Sequence, residues 1–358
     1  MRRRLIELAI LIAVLGALGL VVVVSGVIPI KASSGHWAVT QWVLDFASDR
    51  SVAFHSSAID VPPLDEPGMI TLGAATYETN CVFCHGQPGE LQSPVAQGMT
   101  PTPPLLSASV AEMNSQELFY IVKHGIKFAG MPAWPTLKRD DEIWPVVAFL
   151  HQLPTMDHQT YLGHIRPTND QPAGELRIAI VVRERCAACH GMDGNGRAGS
   201  RVPMLAGQSQ AYLQNSLVAY RAAARISGIM RQTAHHLTDL EIQELAAYYS
   251  SQPRTAATAA RVVDDALIES GKQLAQAGHA KDKIPSCVDC HGPGPIDRSD
   301  EYPALAGQPA RYIERQLELF SQRHRGGSEH SSLMLPIADK LTQEQRLALA
   351  AYYSSLEF

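Results

Sequence analysis

Three short strings carry the chemistry of this sequence. "CVFCH" at Cys81–His85, "CAACH" at Cys186–His190 and "CVDCH" at Cys287–His291 consume all six cysteines of the chain. Two thiols three residues apart, followed at once by an imidazole, form the arrangement that attaches a c-type haem. The thiols add to the two porphyrin vinyl groups, and the histidine falls beneath the iron as its proximal ligand. A redox-active C-x-x-C pair, or a zinc site made from two such pairs, also uses these cysteines. Neither explains a histidine directly after the second cysteine in every copy. The pattern implies three covalently bound haem c groups, held by Cys81, Cys84 and His85, by Cys186, Cys189 and His190, and by Cys287, Cys290 and His291. No cysteine remains for a disulfide or a binuclear copper centre.

An iron held this way has a sixth position. Met131 lies 46 residues after His85, Met230 lies 40 after His190, and Met334 lies 43 after His291. Each precedes a helical pattern by about ten residues. That shared place assigns Met131, Met230 and Met334 as sixth ligands beside His85, His190 and His291. The competing use of a methionine is to fill irregular apolar gaps, which suits Met99, Met113, Met156, Met192 and Met204. A bis-histidine site is the other competitor. The spare histidines His124, His235, His236, His324 and His330 do not fall at a matching place in all three segments. Between the two ligands of the later motifs stand "VPMLAGQ" and "YPALAGQ", and the first motif has "TPTPPLL" at that place. A proline-containing loop there can accept the Nδ1–H of the proximal histidine, or it can be a simple turn before a helix.

These residues must be positioned by a repeating element. First cysteines recur at intervals of 105 and 101 residues, and "LAAYYSS" occurs at Leu245–Ser251 and Leu349–Ser355, 104 positions apart. Thr238 with Glu241, and Thr342 with Gln345, have the spacing of capping boxes that open helices. The last helix of each unit, starting in "RDDEIWPVVAFLHQL", "TDLEIQELAAYYSS" and "TQEQRLALAAYYSS", should pack on the helix leading into its motif. Those first helices are "MITLGAATYETN", "GELRIAIVVRER" and "ALIESGKQLAQAG". The stretches "PTMDHQTYLGHIRPTNDQPAG" and "QPRTAATAARVV" read as linkers.

The N-terminus is a separate object. After "MRRR", the run from Leu8 to Ile28 holds one polar residue, Ser25. That is about the ~20 residues that span a bilayer, and Arg2–Arg4 place the start in the cytoplasm and export the rest of the chain. An uncleaved anchor is the expectation, with a cleavable signal peptide as the rival. Val39, Trp42, Val43 and Phe46 then share one helix face, which suits a helix at the membrane surface or one packed on the first domain. In the 358 residues, 46% are hydrophobic and 18% charged; the net charge of −5 carries no nucleic-acid signature.

With these motifs in view, the chain resembles the class I cytochromes c over roughly residues 68–358. The second and third units resemble the diheme periplasmic cytochromes c through "CAACHGMDGNG…PMLAGQSQAYL" and "CVDCHGPGP…PALAGQPARYI". The first resembles single-domain cytochromes c through "CVFCHG…GIKFAGMPAWP". The resemblance implies three tandem all-α cytochrome c domains at 68–158, 172–253 and 262–358; the hydropathy pattern adds a transmembrane anchor at 1–30 and a membrane-proximal helix and linker at 31–67. It implies His/Met iron and electron transfer rather than enzymatic turnover. The expected role is a single-pass protein of the inner membrane with its haems in the periplasm, relaying electrons between respiratory partners toward a terminal oxidase. The alternative is the cytochrome subunit of a periplasmic dehydrogenase complex, with a dehydrogenase and quinone-side donor as partners. A haem peroxidase needs an open sixth position, which a methionine in every domain argues against.

Overall fold

The computed structural model describes residues 2–28, 30–166, 177–197, 199–255, 264–296 and 298–357. Helices dominate: among the described residues the extended pairings are two isolated bridges, Ile126 with Met131 and His279 with Ile284. The apolar N-terminal run forms one helix, Arg2–Ser25, exposed along its whole length. Helix Ala38–Ser56 comes next and has two different halves. Its C-terminal half buries Val52 and Ser56, and His55 stacks on Tyr120 of the first unit at 5.9 Å. Its N-terminal half leaves Val39, Trp42, Val43 and Phe46 exposed.

Among the described residues, three large hydrophobic cores are strung along the rest of the chain. Each forms where the helix entering a motif crosses the last helix of its unit. Met69–Asn80 packs on Trp144–Gln152, Arg177–Arg185 on Asp239–Ser250, and Asp265–Ala277 on Gln343–Ser355. The approach is close enough to demand glycine. A β-carbon on Gly73 would stand 2.0 Å from the Pro145 carbonyl oxygen, and one on Gly271 would stand 2.0 Å from that of Ala348. The repeated "LAAYYSS" lies on these last helices, burying Leu245, Ala246 and Tyr249 in one copy and Leu349 through Tyr353 in the other. Each buried Leu contributes about 1.5–3 kcal/mol. The helices start where their caps place them: Thr238 with Glu241 and Thr342 with Gln345 form reciprocal capping boxes.

Two stretches differ from the sequence reading. The last helix of the first unit begins at Trp144, because Asp140–Glu142 forms a 3-10 turn. The expected linker at 154–174 contains helix His158–Ile165, opened by the Asp157 side chain accepting the Thr160 N–H. Tyr161 of that helix is fully buried in the first core, and its hydroxyl donates to Glu78 at 2.5 Å. A buried aromatic with a satisfied polar end ties the segment to the unit before it. Residues 167–174 and 256–263, the remainder of the two expected linkers, lie outside the described residues, as do 175–176 at the start of the expected helix into the second motif.

Candidate functional site

Each C-x-x-C-H string folds into one helical turn with the first cysteine at its start. The His85, His190 and His291 N–H groups donate to the carbonyls of Cys81, Cys186 and Cys287 at 2.9, 2.9 and 3.0 Å. Gly86, Gly191 and Gly292 end the turns at positive φ, where a side chain would be strained. One turn of helix puts both thiols and the imidazole on one side of a short, rigid element. None of the six cysteines forms a disulfide among the described residues. Burial pushes the Cys81 and Cys186 thiols up to about 12, so they sit in the core as neutral groups.

The imidazoles are oriented alike. Nδ1 of His85 is 2.9 Å from the Pro104 carbonyl oxygen, Nδ1 of His190 is 3.1 Å from that of Pro203, and Nδ1 of His291 is 3.0 Å from that of Pro303. A carbonyl only accepts, so Nδ1 carries the proton and Nε2 keeps its lone pair for a metal. Burial holds all three below the usual imidazole range, His190 down to about 4, against the opposite pull of the proline carbonyls. The rings stay neutral, as a metal ligand must.

The methionines stand in three settings. Met230 lines a cavity of about 320 Å³ together with Cys186, Cys189 and His190. It lies in the first turn of helix Gly228–Ala234, its N–H donating to Ser227 Oγ at 3.0 Å. Met334 is half-buried against the third core. Met131 is half-buried and closes the bridge with Ile126. Met204 is buried beside Pro203, on the histidine side of the second unit. Of the spare histidines, His235 and His236 are exposed.

The second and third units meet through residues 100 positions apart in sequence. Gln308 donates Nε2–H to the Met204 carbonyl at 2.8 Å and accepts the Met204 N–H at 3.0 Å. Gln208 does the same to Ala304, at 2.9 and 3.0 Å. Arg225 and Arg325 lie beside them, 4% and 9% exposed. Arg225 donates to Ser216 at 3.1 Å and to Tyr312 at 3.3 Å; Arg325 donates to Gln316 at 2.7 Å and to Tyr212 at 3.4 Å. Among the described residues neither pairs with a carboxylate. Burial acts to raise the Tyr212 phenol, but Arg225 and Arg325 bring it down to about 8, a sign of excess positive charge.

Two buried guanidiniums without an anion are costly. Arg225 Nε has no hydrogen-bond partner among the described residues, nor do Arg201 Nε and Tyr353 OH. The Arg201 and Arg225 side chains line the same cavity as Cys186 and His190. An apolar-walled space lined by two thiols, an imidazole, a thioether, the carboxylate-free Arg225, and Arg201, which pairs with Glu66 but keeps a free Nε, fits a porphyrin with its carboxylates. The repeated "LAGQ" marked Gln208 and Gln308, but local sequence patterns did not reveal that they and the arginines join two units. Their common offset of 100 residues, read across "LAGQSQAYLQNSLVAYRAAAR" and "LAGQPARYIERQLELFSQRHR", is the signal that finds them.

Parts of the chain are similar to known proteins. Residues 68–150 match the family described as cytochrome c oxidase, cbb3-type, subunit III, and residues 178–252 match cytochrome c. Cytochrome c4 of Azotobacter vinelandii is 31% identical over 204 residues, covering 54% of this chain and 92% of that relative. A thiosulfate dehydrogenase electron acceptor of Thiomonas intermedia is 34% identical over 170 residues, covering 48% of this chain and 77% of its own. The crystal structure of reduced cytochrome c4 from Pseudomonas stutzeri superposes with a TM-score of 0.44 at 30% identity, covering 50% of this chain and 97% of that one.

Proposed function

The chain belongs to the cytochrome c family, and on that footing we propose that it is a membrane-anchored triheme relay passing electrons between partners in the periplasm. The observation that carries this reading is the threefold recurrence of one geometry: a C-x-x-C-H turn whose histidine donates Nδ1–H to a proline carbonyl. At each turn the two cysteines would form the thioethers and the histidine would bind iron through Nε2. Met131, Met230 and Met334 would supply the opposite ligand. Arg201 and Arg225, each with an unpartnered Nε on the cavity wall, would take porphyrin carboxylates. A haem c held this way supplies one-electron oxidation and reduction, and thioether ligation favours a higher potential than a second imidazole would.

Contacts between the units support transfer in series. Leu72 of the first unit packs with Val202 of the second, against Cys189. The second and third units join at the proline loops themselves, through Gln208 and Gln308. The second site therefore touches both neighbours. The helix Arg2–Ser25 is long and apolar enough to span a bilayer, and the exposed Trp42 and Phe46 face suits the headgroup layer beside it. The likeness of residues 68–150 to an oxidase subunit favours a terminal oxidase as acceptor. The relative that accepts electrons from thiosulfate dehydrogenase favours a second reading, in which a periplasmic dehydrogenase is the donor. Purification from membranes separates the two by the protein that accompanies the chain.

The haem count tests the reading directly. Denatured full-length protein should retain covalent haem with a mass matching three groups. Two groups, or haem removed by acid acetone, would overturn it.

A further inference from the structure

Residues of the first unit help to hold the Met230 segment of the second. Helix Gly228–Ala234 opens two residues before Met230, and the N–H groups of a first turn lack intrahelical acceptors. Glu142 of the first unit provides one. Its carboxylate accepts the Ser227 hydroxyl at 2.6 Å, the Gly228 N–H at 2.6 Å and the Ile229 N–H at 3.4 Å. Ser227 Oγ in turn accepts the Met230 N–H at 3.0 Å. Trp134 donates Nε1–H to the same carboxylate at 3.3 Å. It lies so close to Gly228 that a β-carbon there would stand 2.2 Å from the indole nitrogen. Arg139 pairs with Glu142 at 3.0 Å and donates to the Ile226 carbonyl at 2.8 Å.

Glu142 is 5% exposed. A carboxylate is buried at low cost only when its lone pairs are filled. Here they are filled mainly by one short segment, residues 227–229, which carries the Met230 thioether directly behind it. A contact meant only to join two surfaces has no need to converge on that segment.

We propose that Glu142 and Trp134 are positioning residues for Met230, so that the first unit holds the sixth ligand of the second site in place. The inference rests on the assignment of Met230 as that ligand. Its consequence is directional: loosening the first unit at this contact changes the iron of the second.

Full-length, haem-loaded protein provides the test, through the weak far-red band that thioether ligation gives ferric haem. Glu142→Ala removes every bond that the carboxylate makes to residues 227–229. It should remove up to about a third of the band and lower one of three reduction potentials, as loss of a thioether ligand does. Glu142→Gln, which keeps an acceptor and the side-chain shape, should lose less. Ser227→Ala alters the second unit alone and should also weaken the band, so a folding defect in the first unit cannot mimic the result. Met230→His separates the two layers of the argument. If Met230→His leaves the band unchanged, the ligand assignment fails. If it removes a third while Glu142→Ala leaves the band and all three potentials at their original values, the clamp is overturned, even where Glu142→Ala lowers thermal stability.

Discussion

Replacing Gln308 by alanine would open the contact between the second and third units at one defined point. Gln308 is 2% exposed. It satisfies both main-chain polar groups of Met204, at 2.8 and 3.0 Å. Gln308→Ala leaves a buried donor and a buried acceptor without partners. Each such group costs about 1–3 kcal/mol. Water entering the vacated space would offset part of this, which leaves about 3 kcal/mol. Amide hydrogen exchange at Met204 reads that loss locally. At about 1.4 kcal/mol per factor of ten, the Met204 N–H should exchange about a hundredfold faster in the variant. Gln208→Ala is the mirror control. It should release the Ala304 N–H, which Gln208 accepts at 3.0 Å, and leave Met204 protected. Unchanged protection of Met204 in Gln308→Ala would refute the reasoning. So would equal loss at both amides in both variants, because the exchange would then report separation of whole units rather than two local bonds.

Other measurements probe the same geometry. Met131→His, Met230→His and Met334→His should each remove about a third of the far-red band and lower one potential; Met204→His should leave the band intact, and the reverse pattern would move the second site's ligand to Met204. The mature protein should sediment with membranes and leave them when residues 1–30 are replaced by a cleavable leader; a soluble mature form cut near Ala32 would show that the first helix is a signal. Thr342→Ala removes one half of the capping box on helix Gln343–Ser355 and should cost about 1 kcal/mol, measured by urea unfolding, with Thr342→Asp restoring most of it.

The elements next to the motifs were legible because their signals are local. Thr238 and Glu241 sit three apart in sequence and cap one helix in space. The prolines after each motif lie 19, 13 and 12 residues beyond the histidines whose Nδ1–H they accept. Contacts between units were not legible, because nothing near Gln308 in the sequence announces Met204, which lies 104 positions away. The same limit hid Glu142. As part of "RDDEIW" it reads as an acidic first turn of a helix, whereas its partners are Ser227, Gly228 and Ile229 in another unit. Tyr161 was lost inside a polar stretch because one aromatic among polar residues resembles a linker until its hydroxyl meets Glu78.

Single peptide groups join the histidines to the interface. The carbonyl of Pro203 and the N–H of Met204 belong to one planar unit. The carbonyl accepts from His190, and the N–H donates to Gln308. The unit between Pro303 and Ala304 links His291 to Gln208 in the same way. Hydrogen bonds in such a chain polarise one another, so closure of the interface strengthens the acceptor that each imidazole sees. On the other face of the second site, Glu142 and Ser227 hold the segment that carries Met230. The second site is thus gripped from two directions, on its histidine side by the third unit and on its methionine side by the first. If the chain works as the proposed relay, its middle station needs fixed distance and fixed ligation from both neighbours, and these two sets of bonds would place that constraint on the second site.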